Sequence, residues 1–573
     1  MFRHILKKAK NSLGLGRKVK RKYQDIDPED IFLDSANLPG FEEHALEGRI
    51  EKPMSRETFL VLKIVLVLIA LSLVSKLWIL SVLEGLVYAE ISENNRLEQT
   101  PIFANRGVIL DRNGLELASN EIKDKNSDFA GRRYVAPKGL AHAVGYVKYP
   151  LIDSSGVYYE LDYQAKDGAE LAYDDLLRGK NGKKLVETDV TGTVTSESVI
   201  EEPIDGENIT LSLDAKLTET LHKAIESFAQ AGGFIGGAGV IMDVETGEVL
   251  ALTSFPEYDQ NVLTRGIDQK SFSALLNNPR TPFLNRAIGG LYTPGSIVKP
   301  IVAIAALNED VISPDKEILS TGSITIPNPY DPEKPSVFDD WKAHGWTAMR
   351  EALAVSSDTY FYSIGGGYGG QKGLGISLID KYFELFKFKE PTGIELLGEL
   401  EGIVPTPEWK KEKFNGDIWR LGDTYITAIG QYGTQLTPLN AARFIAAIAN
   451  KGKLLKPSLL LGSNKESVIG TVEFAEDDWR VVREGMRESV TYGTSLGLNV
   501  SYVEAAAKTG TAEVGSGKSY VHSWSVGFFP YRKSKYAWAV IMEKGPANSG
   551  VGATAVVRQV FDWMSIYKPE YLQ

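Results

Sequence analysis

The stretch Tyr292 to Pro300 reads YTPGSIVKP, and within it Ser296 and Lys299 stand three residues apart. A Pro-Gly pair directly before a serine is a plausible helix start, which puts Ser296 in the first turn with Lys299 on the same face. An amine then lies beside a hydroxyl. Serine is a poor nucleophile until a neighbouring base takes its proton. A lysine can serve when desolvation or a second cation lowers its pKa from about 10.4. Ser-x-x-Lys alone proves little, since Ser313-Pro314-Asp315-Lys316 matches it in a stretch that reads as a loop.

Two further elements give it weight. Ser356 and Asp358 form Ser-x-Asp directly after the helical segment TAMREALAV. Taken alone this is a cap or turn, and Ser35-Ala36-Asn37 and Ser92-Glu93-Asn94 fit the same loose pattern. Lys508-Thr509-Gly510 begins in the apolar, strand-like run AAAKTGTAE and occurs once in the chain. Gly510 carries no side chain to block pairing with an extended peptide, and Lys508 and the threonine hydroxyls can bind a carboxylate.

Other candidates carry less. Asp340 and His344 are four apart, but two ligands make no metal site, so a structural histidine is the better reading. Gly515 to Ser519 looks like a phosphate loop, yet Ala512 stands where the first glycine is needed, and a flexible loop beside the cleft is expected instead. His522 fits no nucleophile-elbow pattern and is expected to pack near the Lys508 strand.

The elements that must position these residues follow from the hydrophobic pattern. Asn208 to Asp214 alternates as a strand, Ala215 to Gln230 has helical periodicity, and Gly237 to Ser254 is a hairpin turning at Glu245-Thr246-Gly247. A helical middle runs from about Ser296 to Ala449. Strands return from Ala505 to Glu543, and a last helix covers Val556 to Tyr567. Strands at both ends with helices between them imply an α+β domain, an antiparallel sheet packed by helices. Ahead of it, a hairpin around Asp111-Arg112-Asn113-Gly114 and a helix, turn and strand within Asp167 to Asp189 suggest a small mixed domain.

Phe59 to Leu83 is apolar and long enough to span a bilayer as a helix, with Lys63 and Lys76 placed to snorkel. Residues 85 to 98 read as a continuation of that helix. The segment lies too far from residue 1 for a cleaved signal peptide and reads as a signal anchor. Lysines and arginines crowd the first two dozen positions, which puts the N-terminus in the cytoplasm and the rest outside. The expected organisation is a cytoplasmic tail (1–58), a transmembrane anchor (59–83), a pedestal domain (84–209) and a catalytic domain (210–573). The net charge of -11 argues against nucleic acid as a partner, and the absence of cysteine removes disulfides and thiolate catalysis.

Ser-x-x-Lys, Ser-x-Asp and Lys-Thr-Gly in this order match the signature of serine β-lactamases and penicillin-binding proteins, with Asp358 where asparagine is usual. The chain resembles a class B penicillin-binding protein. The likeness extends through RGVILDRNG, the turn at Arg178-Gly179-Lys180, DVETGEVLALTS, LNRAIGGLYTPGSIVKP, IGQYGTQLTPLNAA and GFFP. Thr-Tyr-Phe-Tyr after Asp358, and PTPEWKKEKF leading to LGDTYITAIGQ, look like the elongation-type members. The interval from Asn120 to Tyr134 is short for the family, implying a reduced pedestal head. Gly-Gln-Tyr at 430 to 432 replaces the common Gly-Gln-Gly.

The resemblance implies a penicillin-sensitive peptidoglycan D,D-transpeptidase with a transpeptidase domain of the penicillin-binding-protein and β-lactamase fold, needing no cofactor or metal. Ser296 would be the acyl-enzyme nucleophile and Lys299 its base. Ser356 would relay a proton to the leaving D-alanine, and Lys508 would supply positive potential that keeps Lys299 neutral. Thr509 and Thr511 would hold the donor carboxylate beside Gly510. The backbone N–H groups of Ser296 and Thr511 would form the oxyanion hole. Asp358 would bridge these groups while adding negative charge. Implied partners are stem peptides ending in D-Ala-D-Ala, β-lactams, and a SEDS-family glycosyltransferase (RodA-like) contacting the anchor and pedestal. The implied location is the inner (cytoplasmic) membrane. The alternatives are a D,D-carboxypeptidase with the same site, a septal transpeptidase, a β-lactamase or sensor, and a non-catalytic activator of the polymerase.

Overall fold

The computed structural model describes residues 56–573 except 89–96, 123–126, 155, 189–192, 329–330, 332, 464–466 and 516–518. The basic tail and the centre of the glycine-rich loop at Gly515 to Ser519 therefore lie outside the described residues. The chain divides into two compact units, Met1–Asn94 and Asn95–Gln573. In the first, Arg56–Trp78 is α-helical and runs on through a π turn, Ile79–Leu83. Phe59–Leu83 has a mean hydropathy of 2.5 and is long enough to cross a membrane.

The second unit begins with the pedestal. Leu97–Ile102, Gly182–Thr188 and Val194–Glu201 form a three-stranded sheet, in which Leu97 and Glu98 pair with Glu187 and Val186. The helix expected to reach residue 98 has therefore ended before Leu97, because a ladder to a strand far along the chain overrides the local helical pattern. The hairpin around residues 111–114 forms as expected. Asp111 accepts from the N–H groups of Asn113 and Leu115, and Gly114 takes φ 83°. The short interval after Asn120 closes between paired strands, with Glu121 opposite Gly131.

Beneath these strands lies a buried charge cluster. Glu170 receives the guanidinium Nε of Arg106 at 2.6 Å and of Arg132 at 2.7 Å, and Arg106 also reaches Asp174 at 2.7 Å. Burial pushes the Glu170 carboxyl up, but the two arginines outweigh it and hold it below the usual range.

Next along the chain comes helix α1 (Ala215–Gly232). Asp214 accepts from the N–H groups of Lys216 and Leu217 at its start, and Gly233 closes it at φ 70°. Strands β1 (Gly236–Asp243) and β2 (Val249–Phe255) form the expected hairpin, while β3 (Ala506–Val514), β4 (Tyr520–Phe529) and β5 (Tyr536–Pro546) come from the C-terminal part. They make one antiparallel five-stranded sheet in the order β2-β1-β5-β4-β3, so the Lys508 strand β3 is an edge.

Helix α1 and the last helix, Ala553–Tyr567, bury one face of this sheet around Leu221, Ile225, Val540 and Phe561. The other face meets a helical subdomain containing α2 (Lys299–Asn308), α3 (Met349–Val355), α4 (Asp358–Gly366), α5 (Pro438–Ala449) and α6 (Glu476–Thr491). Every residue of α5 is buried, including Arg443, whose guanidinium donates to the Lys387, Glu390 and Pro391 carbonyls. The middle is not wholly helical. Short strands interrupt it, among them Ser323–Ile326 paired with Ser336–Asp339, and Ile318–Ser320 paired with Gly345–Thr347.

Candidate active site

The site forms where the N-terminus of α2, the α3–α4 junction and the edge strand β3 meet. Ser296 sits in a 3-10 turn, Gly295–Val298, that leads directly into α2 at Lys299. Three contacts hold this turn. The indole of Trp524 donates to the Thr293 carbonyl at 2.9 Å, and the Gly295 N–H donates to the Gly430 carbonyl at 2.9 Å. Gly510 packs so closely that a Cβ there would lie 2.6 Å from the Pro294 oxygen. The bare Cα of Gly510 thus lets its strand approach the Ser296 turn; room for a peptide was the reason expected. Gly295 itself needs φ 57° and faces the Thr511 carbonyl.

Lys299 is fully buried. Its ammonium donates to Asp358 Oδ1 at 2.6 Å, to the Ser356 carbonyl at 2.8 Å and to the Ser356 hydroxyl at 3.3 Å. From the other side Lys508, also buried, donates to the same hydroxyl at 2.7 Å and to the Thr509 carbonyl at 3.0 Å. Ser356 closes α3 at φ 61°, a left-handed conformation uncommon for serine, and so turns its hydroxyl between the two lysines.

Burial, and secondarily the Lys299 ammonium, push Lys508 well below the ordinary lysine range, with Asp358 opposing.

Of the sequence-predicted residues, Lys299, Ser356, Asp358 and Lys508 are joined in one hydrogen-bonded cluster, with Ser296 one turn before Lys299. Thr509, Gly510 and Thr511 continue along the edge strand. Thr509 is half-buried and donates to the Thr494 hydroxyl at 2.7 Å, while Thr511 is exposed. His522 stands opposite Ala512 in the sheet, edge-on to Tyr292. Burial lowers its pKa to about 4, so it is neutral at physiological pH. Among the described residues no cluster of three or more histidine or acidic side chains is placed to hold a metal.

Sequence reasoning passed over what Asp340 does, and it marked Tyr432 without a role. Asp340 was weighed only as half of a metal pair, yet its carboxylate accepts from the Ser357 hydroxyl and the Thr359 N–H at the start of α4. Tyr432 takes φ 56° where the family commonly has glycine. Its ring is enclosed by Trp409, Phe414 and Trp419, with centroids 5.7–6.4 Å away, and the Lys410 ammonium lies 5.6 Å from its centre. Those contacts offset the strain of a left-handed tyrosine.

A buried lysine one helical turn from a serine, with a second serine shared between two lysines, is the equipment of a serine acyltransferase. Comparison with known proteins makes the assignment specific. Residues 237–562 match the penicillin-binding protein transpeptidase domain, and residues 127–211 match the penicillin-binding protein dimerisation domain. The peptidoglycan D,D-transpeptidase MrdA of Acinetobacter baumannii is 33% identical over 74% of this chain and 64% of its own length. The penicillin-binding protein PBP2 of Pseudomonas aeruginosa, solved in complex with WCK 5153, is 32% identical, with a TM-score of 0.67 over 82% of this chain and 97% of that one. A component of a peptidoglycan synthase complex that coordinates polymerization and crosslinking is 28% identical. Its TM-score is 0.68, over 89% of this chain and 98% of its own. The chain belongs to the penicillin-binding protein transpeptidase family, as a class B, elongation-type serine D,D-transpeptidase.

Proposed function

We propose that this protein cross-links peptidoglycan stem peptides through an acyl-enzyme on Ser296, with the domain beyond about residue 210 catalysing and residues 84–209 forming the pedestal. The observation that carries the reading is the Ser356 hydroxyl shared by the Lys299 and Lys508 side-chain nitrogens, with Lys299 one turn on from Ser296.

Acyl transfer then takes two steps. Lys299 acts as base in its neutral form, and Asp358, 2.6 Å away, stabilises the ammonium that forms when it takes the proton. Ser296 Oγ then attacks the carbonyl carbon between the last two D-alanines, and its proton passes to Lys299. The Ser296 and Thr511 N–H groups stabilise the oxyanion. Collapse breaks the C–N bond, and the departing D-alanine takes a proton by way of the Ser356 hydroxyl. An amine on a neighbouring stem attacks the ester, loses its proton to the same groups and frees Ser296. Thr509, Thr511 and Lys508 line the strand along which the donor carboxylate lies, and β-lactams would acylate Ser296 as substrate mimics.

The apolar helix anchors the chain in the inner membrane, with the basic N-terminus in the cytoplasm and the catalytic domain outside. A SEDS-family glycosyltransferase would supply the glycan strand and contact anchor and pedestal. The presence of one structural relative in a peptidoglycan synthase complex supports this.

Incubation with a D-Ala-D-Ala donor and an amine acceptor tests the activity. Cross-linked dimer that disappears in Ser296→Ala supports the reading. Release of D-alanine with no dimer identifies a carboxypeptidase.

A further inference from the structure

Ser356 and Asp358 occupy the junction between α3 and α4, and Ser356 is held at φ 61°. The segment Asp340 to His344, from a different part of the fold, grips that junction on both sides. On the α3 side, the Trp341 indole donates to the Val355 carbonyl at 3.2 Å, satisfying a helix-end acceptor immediately before Ser356. On the α4 side, the fully buried Asp340 carboxylate accepts through one oxygen from the Ser357 hydroxyl at 2.8 Å, the Thr359 N–H at 2.9 Å and the Ser320 hydroxyl at 3.2 Å. Its other oxygen accepts from the Trp341 N–H at 2.9 Å and faces His344 Nε2 at 3.5 Å.

A carboxylate at a helix N-terminus meets the unpaired N–H groups and the positive end of the helix dipole, so it fixes the first turn of α4 in place. That turn carries Asp358, the partner of Lys299. Burial works to raise the Asp340 pKa, but the Thr359 and Asp358 peptide groups, Ser357 and the nearby Lys299 charge prevail and keep it ionised. The brace is thus charged at neutral pH.

We infer that Asp340 is a positioning residue for acylation. It touches none of the reacting groups, and through Ser357 and the Thr359 peptide it sets where Asp358 and the Ser356 hydroxyl stand relative to Lys299. This rests on the Ser296–Lys299–Ser356 reading of the site. A displaced second serine slows proton transfer without emptying the cleft, so the effect belongs to the chemical step more than to binding.

The test uses the full-length protein in detergent and the time course of labelling by a fluorescent penicillin at several concentrations. This separates the limiting acylation rate from the half-saturating concentration. Asp340→Ala is expected to lower the limiting rate between about tenfold and a hundredfold. The half-saturating concentration should stay within about threefold of wild type, as for a lost positioning contact. Ser357→Ala, which removes a single donor, should show a smaller fall of the same kind, and Asp340→Asn should recover part of the rate.

A folded Asp340→Ala protein that acylates at the wild-type limiting rate overturns the inference. So does a loss confined to the folded fraction or to the half-saturating concentration. If Asp340→Ala does not fold, Ser357→Ala decides by the same criterion. Ser296→Ala serves as reference. Labelling that survives in it defeats the site reading itself, whereas labelling abolished there but unchanged in the Asp340 variant defeats the positioning role alone.

Discussion

Lys299 and Asp358 form a direct ion pair, 2.6 Å from Nζ to Oδ1, with the lysine side chain fully buried and the carboxylate 19% exposed. Removing one member of such a pair strands a charge away from water, which costs about 3–5 kcal/mol. Asp358→Ala should lower the thermal midpoint, and so should Lys299→Ala. The double variant should lose less than the sum of the two. Additive losses would show that the pair is not coupled.

The approach of β3 to the Ser296 turn depends on Gly510. A Cβ at this position would meet the Pro294 carbonyl, Ile297 and Trp524, so Gly510→Ala must push strand and turn apart. Overpacking of this kind costs about 1–3 kcal/mol. Acylation by penicillin should fall more than tenfold, a displacement of the order that costs about a hundredfold in rate. Wild-type acylation in the variant would mean that the turn and strand tolerate separation.

Lys508 gives a pH signature. Its folded-state pKa is lowered by burial first and by Lys299 second, so below about pH 10.4, the ordinary lysine value, the unfolded chain binds a proton that the folded protein refuses. From this group, stability falls as pH decreases from there toward the depressed value. Lys508→Met removes that dependence. Melting midpoints of variant and wild type compared at pH 9.5 and 7.5 should therefore shift in the variant's favour at the lower pH. A difference that does not change with pH contradicts the assignment.

The pedestal is predicted to be separable from the chemistry. Glu170 is wholly buried between Arg106 and Arg132, so Glu170→Ala takes the paired carboxylate from Arg132 and leaves Arg106 with Asp174 alone, at a cost of about 3–5 kcal/mol. The thermal midpoint should fall while penicillin acylation of the folded protein stays at the wild-type rate. A parallel loss of acylation would show that the pedestal sets the geometry of the site.

Local pattern made much of this molecule legible. Helix α1, the β1–β2 hairpin and the three motifs all rest on periodicity, turn residues or fixed spacing, and each lies in an element those signals indicate. The extended course of Leu97 and Glu98 was not legible, because their partners in the ladder stand some ninety residues away. Asp340 escaped for a related reason. Its importance comes from Ser357 and Thr359, seventeen and nineteen positions on, and no spacing rule joins a loop carboxylate to the start of a distant helix. Gly510 shows a third case. Its type pointed to close approach, but only the packing shows that the approaching group is the carbonyl of Pro294.

The most direct test of the central claim is labelling of the purified full-length protein with a fluorescent penicillin, followed by peptide mapping. The label should be on the peptide containing Ser296, linked through that serine, and Ser296→Ala should carry none. Label on any other residue, or undiminished label in Ser296→Ala, would contradict the account.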